Sequence, residues 1–169
     1  HESLAAAGLS PERLGLFQAV LQRELRKAAP RIALFPGVAG MLREVARLGR
    51  VVVVTSNFAA VAGGILARHR LAGFIDAISG AEEGGGKIAR LRALREKHAP
   101  SRFFYVGDTL GDMLEGRAAG ARTVAVLWGW HDERRLAAGR PDFTARTPAD
   151  LPAIMRDGAG AGENSPAAG

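Results

Sequence analysis

The sequence predicts an α/β fold, a parallel sheet with helices packed on both faces. Short β-branched or aromatic runs end in glycine or small polar residues, as buried parallel strands do. Between them lie longer stretches whose apolar residues recur at helical spacing, and strands that alternate with helices imply parallel pairing. The 169 residues, 47% apolar, suffice for one domain with a core of ordinary size.

From Pro11 to about Ala29, Leu14, Phe17, Val20, Leu21 and Leu25 repeat at helical spacing behind Ser10 as N-cap and Pro11 at the first helical position, and Pro30 ends the run. Pro36 and Gly37 open a second amphipathic stretch through Met41, Leu42, Val45 and Leu48. Val51 to Val54 is too short for a helix and β-branched throughout, which predicts a buried strand ending at Thr55. A helix near 58–70, a strand near 74–79 and a loop over 80–86 follow. Then come a helix near 87–98, a strand over 103–107, a helix near 111–119 and a strand over 122–127. A helix near 132–138, a short strand at Phe143 and a helix near 148–156 complete the pattern. Gly158 to Gly169 has no periodicity and is expected to be a disordered tail.

The stretch Phe103 to Met113 carries the strongest chemical signal, because a strand stopped by Gly107 is followed by Asp108 and Asp112. Ligands of open α/β sheets bind beyond the carboxyl ends of the strands, and two carboxylates there suit a hard cation such as Mg²⁺. Helix capping would account for Asp108 alone but not for the pair. Thr55, Ser56 and Asn57 close another strand, and Lys87 begins a helix. Hydroxyl and amide groups, a cation and two carboxylates are what a metal-bound phosphate ester requires. Thr55 to Asn57 could also cap the next helix, but Lys87 in a first turn opposes the helix dipole.

Composition narrows the remaining classes. The net charge of +6 comes from scattered basic residues interleaved with Glu, a solvated pattern that argues against nucleic-acid binding. The absence of cysteine rules out disulfides and thiolate chemistry and is compatible with the cytoplasm, the expected location. No apolar run approaches the roughly 20 residues of a membrane helix. GGGK at Gly84 to Lys87 lacks the remaining residues of a P-loop. His69, His98 and His131 are isolated, and Trp128 and Trp130 read as packing residues at the domain edge.

The ordered set Pro36 to Val38, Val51 to Asn57, Gly86 with Lys87, Val106 to Asp112 and Ala118 to Trp130 resembles the haloacid dehalogenase-like hydrolases, within them the phosphoglycolate phosphatase-like branch. The resemblance implies a Rossmann-like core over residues 35–157, preceded over 1–34 by the remnant of a small helical cap. It implies Mg²⁺-dependent hydrolysis of a small phosphorylated metabolite. Thr55 matches the phosphoryl-binding hydroxyl and Lys87 the lysine that steadies the transferring group, with Ser56 and Asn57 beside Thr55. Asp108 matches the direct metal ligand and Asp112 the second acid that helps hold the metal and its water.

The family's nucleophile and its acid/base partner lie in an Asp-x-Asp motif on an earlier strand, whereas the first Asp here is Asp76. With His1 in place of a starting Met, the expectation is an inactive N-terminally truncated fragment. The absent strand would run centrally, between the strands ending at Thr55 and Asp108. A non-catalytic, phosphate-binding pseudophosphatase is the alternative.

Overall fold

A computed structural model describes residues 11–158, so the Ser10 cap and the expected tail beyond Gly158 lie outside the described residues. Helix α1 (Pro11–Ala28) runs into a 3₁₀ turn and is followed by α2 (Val38–Leu48), β1 (Val52–Val54), α3 (Ala59–Arg68) and β2 (Ala77–Ser79). Next come α4 (Gly86–His98), β3 (Phe104–Gly107), α5 (Leu110–Ala118) and β4 (Arg122–Val126). The chain then forms α6 (Glu133–Ala137), β5 (Phe143–Ala145) and α7 (Asp150–Asp157). The alternation read from the sequence is therefore the architecture observed. The loop expected over 80–86 is partly ordered, with a 3₁₀ turn at Ala81–Glu83.

All the strand pairings are parallel, but they form two sheets, β1 with β2 and β3-β4-β5 in that order. One edge of β1 and one of β3 have no paired strand among the described residues. This corrects the expectation for Val51 to Val54, which are half-buried because β1 has a neighbour on one side only. Val124 and Ala125, central in the three-stranded sheet, are fully buried instead.

Helix α5 packs on β3 and β4, with Met113 sealed against Ala125 and Leu136. Gly116 lets α5 approach so closely that a Cβ there would lie 2.7 Å from the Tyr105 ring. Leu91 of α4 joins Tyr105, Ala119 and Ala121, with Val54 of β1 packed against them, so α4 spans both sheets. In α1, Leu16, Phe17, Val20 and Leu21 are all exposed, Leu16 at 68%. The main described contacts of this helix are with α3 and the 3₁₀ turn that continues it.

Candidate active site

The loop after β3 is organised by a capping box. Thr109 is the N-cap of α5: its Oγ1 accepts from Asp112 N at 3.0 Å, and Asp112 Oδ2 accepts from Thr109 N at 3.1 Å and Thr109 Oγ1 at 2.7 Å. Such a cap contributes about 1 kcal/mol. The cap is therefore Thr109, and neither expected carboxylate is spent in the way a lone N-cap Asp would be.

Asp112 Oδ1 accepts from Lys87 Nζ at 2.6 Å and from the Tyr105 hydroxyl at 3.1 Å. Lys87 lies 3.2 Å from Glu115 Oε2, a buried oxygen in ion contact but without hydrogen-bond alignment. Only 17% of the Lys87 side chain and 9% of that of Asp112 is exposed, which excludes an ordinary surface lysine. Burial by itself would raise the Asp112 pKa, but hydrogen bonds from Lys87 and Thr109 hold it below the usual carboxylate range. Burial likewise disfavours charged Lys87, yet the Asp112 hydrogen bond and the neighbouring Tyr105, Asp112 and Glu115 raise it above an ordinary lysine. Burial, then the Asp112 charge, pushes the Tyr105 phenol up. Tyr105→Phe is expected to cost about 1 kcal/mol, one net hydrogen bond, in urea unfolding. A change within error would show that Asp112 does not depend on the phenol.

Asp108 faces other partners. Its Oδ2 accepts from Trp130 N at 2.8 Å and its carbonyl from His131 N at 3.1 Å. His131 Nδ1 in turn accepts from Leu110 N at 2.9 Å, so this histidine, read as isolated, ties the loop after β4 to the start of α5. Gly129 is required at this crossing, because a Cβ there would sit 2.1 Å from Asp108 Cβ. Trp128 packs on the β4-β5 core as a packing residue should, whereas Trp130 is 85% exposed and packs on nothing comparable.

The two acids expected to share an ion thus engage different groups. Both Asp112 oxygens are taken by protein donors, while Asp108 Oδ1 accepts none of the described hydrogen bonds. No group of three His, Cys, Asp or Glu able to hold a metal occurs among the described residues. The fit to Mg²⁺ is therefore partial, since of the two expected acids only Asp108 keeps a carboxylate oxygen that accepts none of the described hydrogen bonds.

At the end of β1, Thr55 N donates to Ser79 O at 2.9 Å, and Thr55 Oγ1 accepts from Asn57 N at 3.0 Å. Asn57 Oδ1 accepts from Phe58 N at 2.7 Å, and Ser56 is exposed. Helix α3 is not capped by these residues; Glu82 accepts from Ala59 N instead, at 3.0 Å. The structure places Lys87 directly on Asp112, and links Thr55 to the same helix through Arg90, whose Nη1 donates to Thr55 O at 3.0 Å. Arg90, Tyr105, Glu115 and His131 escaped the sequence reading. Only Thr109-x-x-Asp112 left a legible pattern, that of a capping box.

The matching family model, haloacid dehalogenase-like hydrolase, covers residues 10–126, more than half of the chain. This chain belongs to the haloacid dehalogenase-like hydrolases. A phosphoglycolate phosphatase from Synechococcus elongatus is 33% identical over 151 residues, covering 86% of this chain and 70% of the relative. One from Aquifex aeolicus is 32% identical over 113 residues, 63% of this chain and 51% of the relative. A haloacid dehalogenase-like hydrolase structure from Streptococcus pneumoniae superposes with a TM-score of 0.73 at 25% identity, over 91% of this chain and 75% of that one. The phosphoglycolate phosphatase-like branch and the Rossmann-like hydrolase fold expected from the motifs are thus found. No described helix is long and apolar enough to cross a membrane.

Proposed function

We propose that the chain carries the phosphoryl-binding half of a Mg²⁺-dependent phosphomonoester hydrolase acting on a small phosphorylated metabolite. The observation that supports this most is Lys87, buried on Asp112 and Glu115 beside the loop that carries Asp108. An ammonium has three donors; one is bonded to Asp112 while Glu115 is in ion contact only, so a donor remains for a phosphoryl oxygen. Thr55 Oγ1 accepts from Asn57 N, so its own proton is free to donate to another. Thr55 would bind the phosphoryl group and Lys87 would neutralise it, with Ser56 and Asn57 at its edge. Asp112 holds Lys87 in place and charged. Asp108 would hold Mg²⁺, which when bound supplies positive charge against the phosphoryl oxygens.

The nucleophile is the missing part. No Asp precedes Asp76 in the given sequence, and β1 and β3 each keep an edge with no paired strand among the described residues. We infer that a strand ending in Asp-x-Asp pairs there in the active protein, and that residues 1–169 alone are inactive. The same observations favour the second reading, a phosphate-binding pseudophosphatase.

The test joins an N-terminal segment bearing such a strand to this chain and assays a broad panel of small phosphomonoesters with Mg²⁺. Hydrolysis is expected from the joined protein and none from residues 1–169. Asp108→Asn should weaken Mg²⁺ binding in calorimetry more than Asp112→Asn, because only Asp108 has a free carboxylate oxygen. A folded, Mg²⁺-binding fusion that cleaves nothing on the panel would select the pseudophosphatase.

A further inference from the structure

Arg90 is 8% exposed, and no carboxylate lies within salt-bridge distance among the described residues. A buried guanidinium so placed must be held by dipoles. Its Nη1 donates to Thr55 O at 3.0 Å, Ser79 O at 2.9 Å and Gly80 O at 2.8 Å, with Ser79 Oγ at 3.4 Å. Its Nε donates to Gly86 O at 3.3 Å in the first turn of α4. Ser79 Oγ donates to Glu83 Oε2 at 2.7 Å, so the Ser79 hydroxyl lies between Arg90 and that acid. The carbonyls that end β1 and β2 therefore converge on one side chain.

Lys87 and Arg90 are three residues apart on α4 and share a face. Lys87 reaches Asp112 of α5, on the three-stranded side, while Arg90 gathers the ends of the two-stranded sheet. No strand pairing joins the two sheets among the described residues, and this helix is bonded to both sides. We propose that Arg90 is a positioning residue for the Thr55 turn, fixing the Thr55 hydroxyl relative to Lys87 through one rigid helix. This rests on the phosphoryl-site reading only for the ligand; the positioning itself is a property of the chain.

Amide exchange by NMR and titration with inorganic phosphate test it on the 169-residue chain. In Arg90→Gln, exchange should quicken at Thr55 and Ala81, whose amides bond to Ser79 O and Asn57 O, and stay unchanged at Leu127, bonded to Ala145 O. Phosphate affinity should fall about tenfold, the scale of one lost charge-assisted hydrogen bond. Arg90→Lys keeps the charge without the planar fork and should fall between the two in both readouts. Adding Arg90→Gln to Thr55→Ala should weaken phosphate no further, because a residue acting through Thr55 has nothing left to position. Wild-type exchange at Thr55 in Arg90→Gln, or losses that add in the double variant, would overturn the proposal. If Arg90→Gln does not fold, Arg90→Lys decides: quickened exchange confined to Thr55 and Ala81 supports positioning, and wild-type exchange there overturns it. Should the unmodified chain not bind phosphate, the phosphoryl-site reading fails while the exchange pattern still judges Arg90.

Discussion

Lys87→Met is expected to lower the unfolding free energy by about 3 kcal/mol, the scale of stranding one partner of a buried ion pair. The partner left behind is Asp112, 6% exposed, together with the buried Glu115 Oε2. Urea unfolding measures the loss, and Lys87→Met with Asp112→Asn should cost clearly less than the sum of the single variants. Strict additivity would show that the pair is not coupled. Phosphate affinity should fall about ten- to a hundredfold as well, if the free donor of Lys87 serves a phosphoryl oxygen.

The same network sets a pH window. Asp112 titrates lower in the folded than in the unfolded state, so its stabilisation is present above the unfolded value of about 4 and is lost as pH falls through the folded one. Lys87 and Tyr105 titrate higher when folded. Their stabilisation is complete below about pH 10 and is lost as pH rises through their folded values. Between these limits the contribution of the network is level. Lys87→Met should flatten the acid limb, because Lys87 is the strongest single cause of the low Asp112 pKa.

Gly129→Ala is the second large effect. Its new Cβ would stand 2.1 Å from Asp108 Cβ and 2.4 Å from Asp108 Oδ2, so either the loop after β4 or Asp108 must move. The bond from Trp130 N to Asp108 Oδ2 breaks in either case, and overpacking of this kind costs about 1–3 kcal/mol. Mg²⁺ affinity measured by calorimetry should weaken by about tenfold or more if Asp108 is the ligand that moves. Gly111→Ala provides the contrast. Its nearest neighbour would be Thr109 Oγ1 at 3.6 Å, ordinary contact, and an alanine in α5 should gain up to about 0.5–1 kcal/mol. Thermal unfolding of the two variants separates the cases, and similar melting temperatures would refute the steric account of Gly129.

By itself the sequence determined the order of helices and strands, the parallel α/β class and the positions of Thr55, Lys87, Asp108 and Asp112 at the ends of elements. These are local properties: β-branched runs stopped by glycine, helical spacing of apolar residues, and polar residues just past a strand. Tertiary structure decided which of those groups meet. Asp108 and Asp112 are four residues apart, yet one is fastened to Trp130 and the other to Lys87, because α5 turns Asp112 inward onto α4 while the loop after β4 claims Asp108. Arg90 looked like one more surface arginine among twenty until the ends of β1 and β2 converged on it. The valines of β1 carry the composition of a buried strand but remain half-exposed, because burial depends on a neighbour that local sequence cannot specify. The physical reason is common to all three: backbone propensity acts over a few residues, whereas the partners of Asp112, Thr55 and Asp108 lie 25, 35 and 22 residues away in the chain.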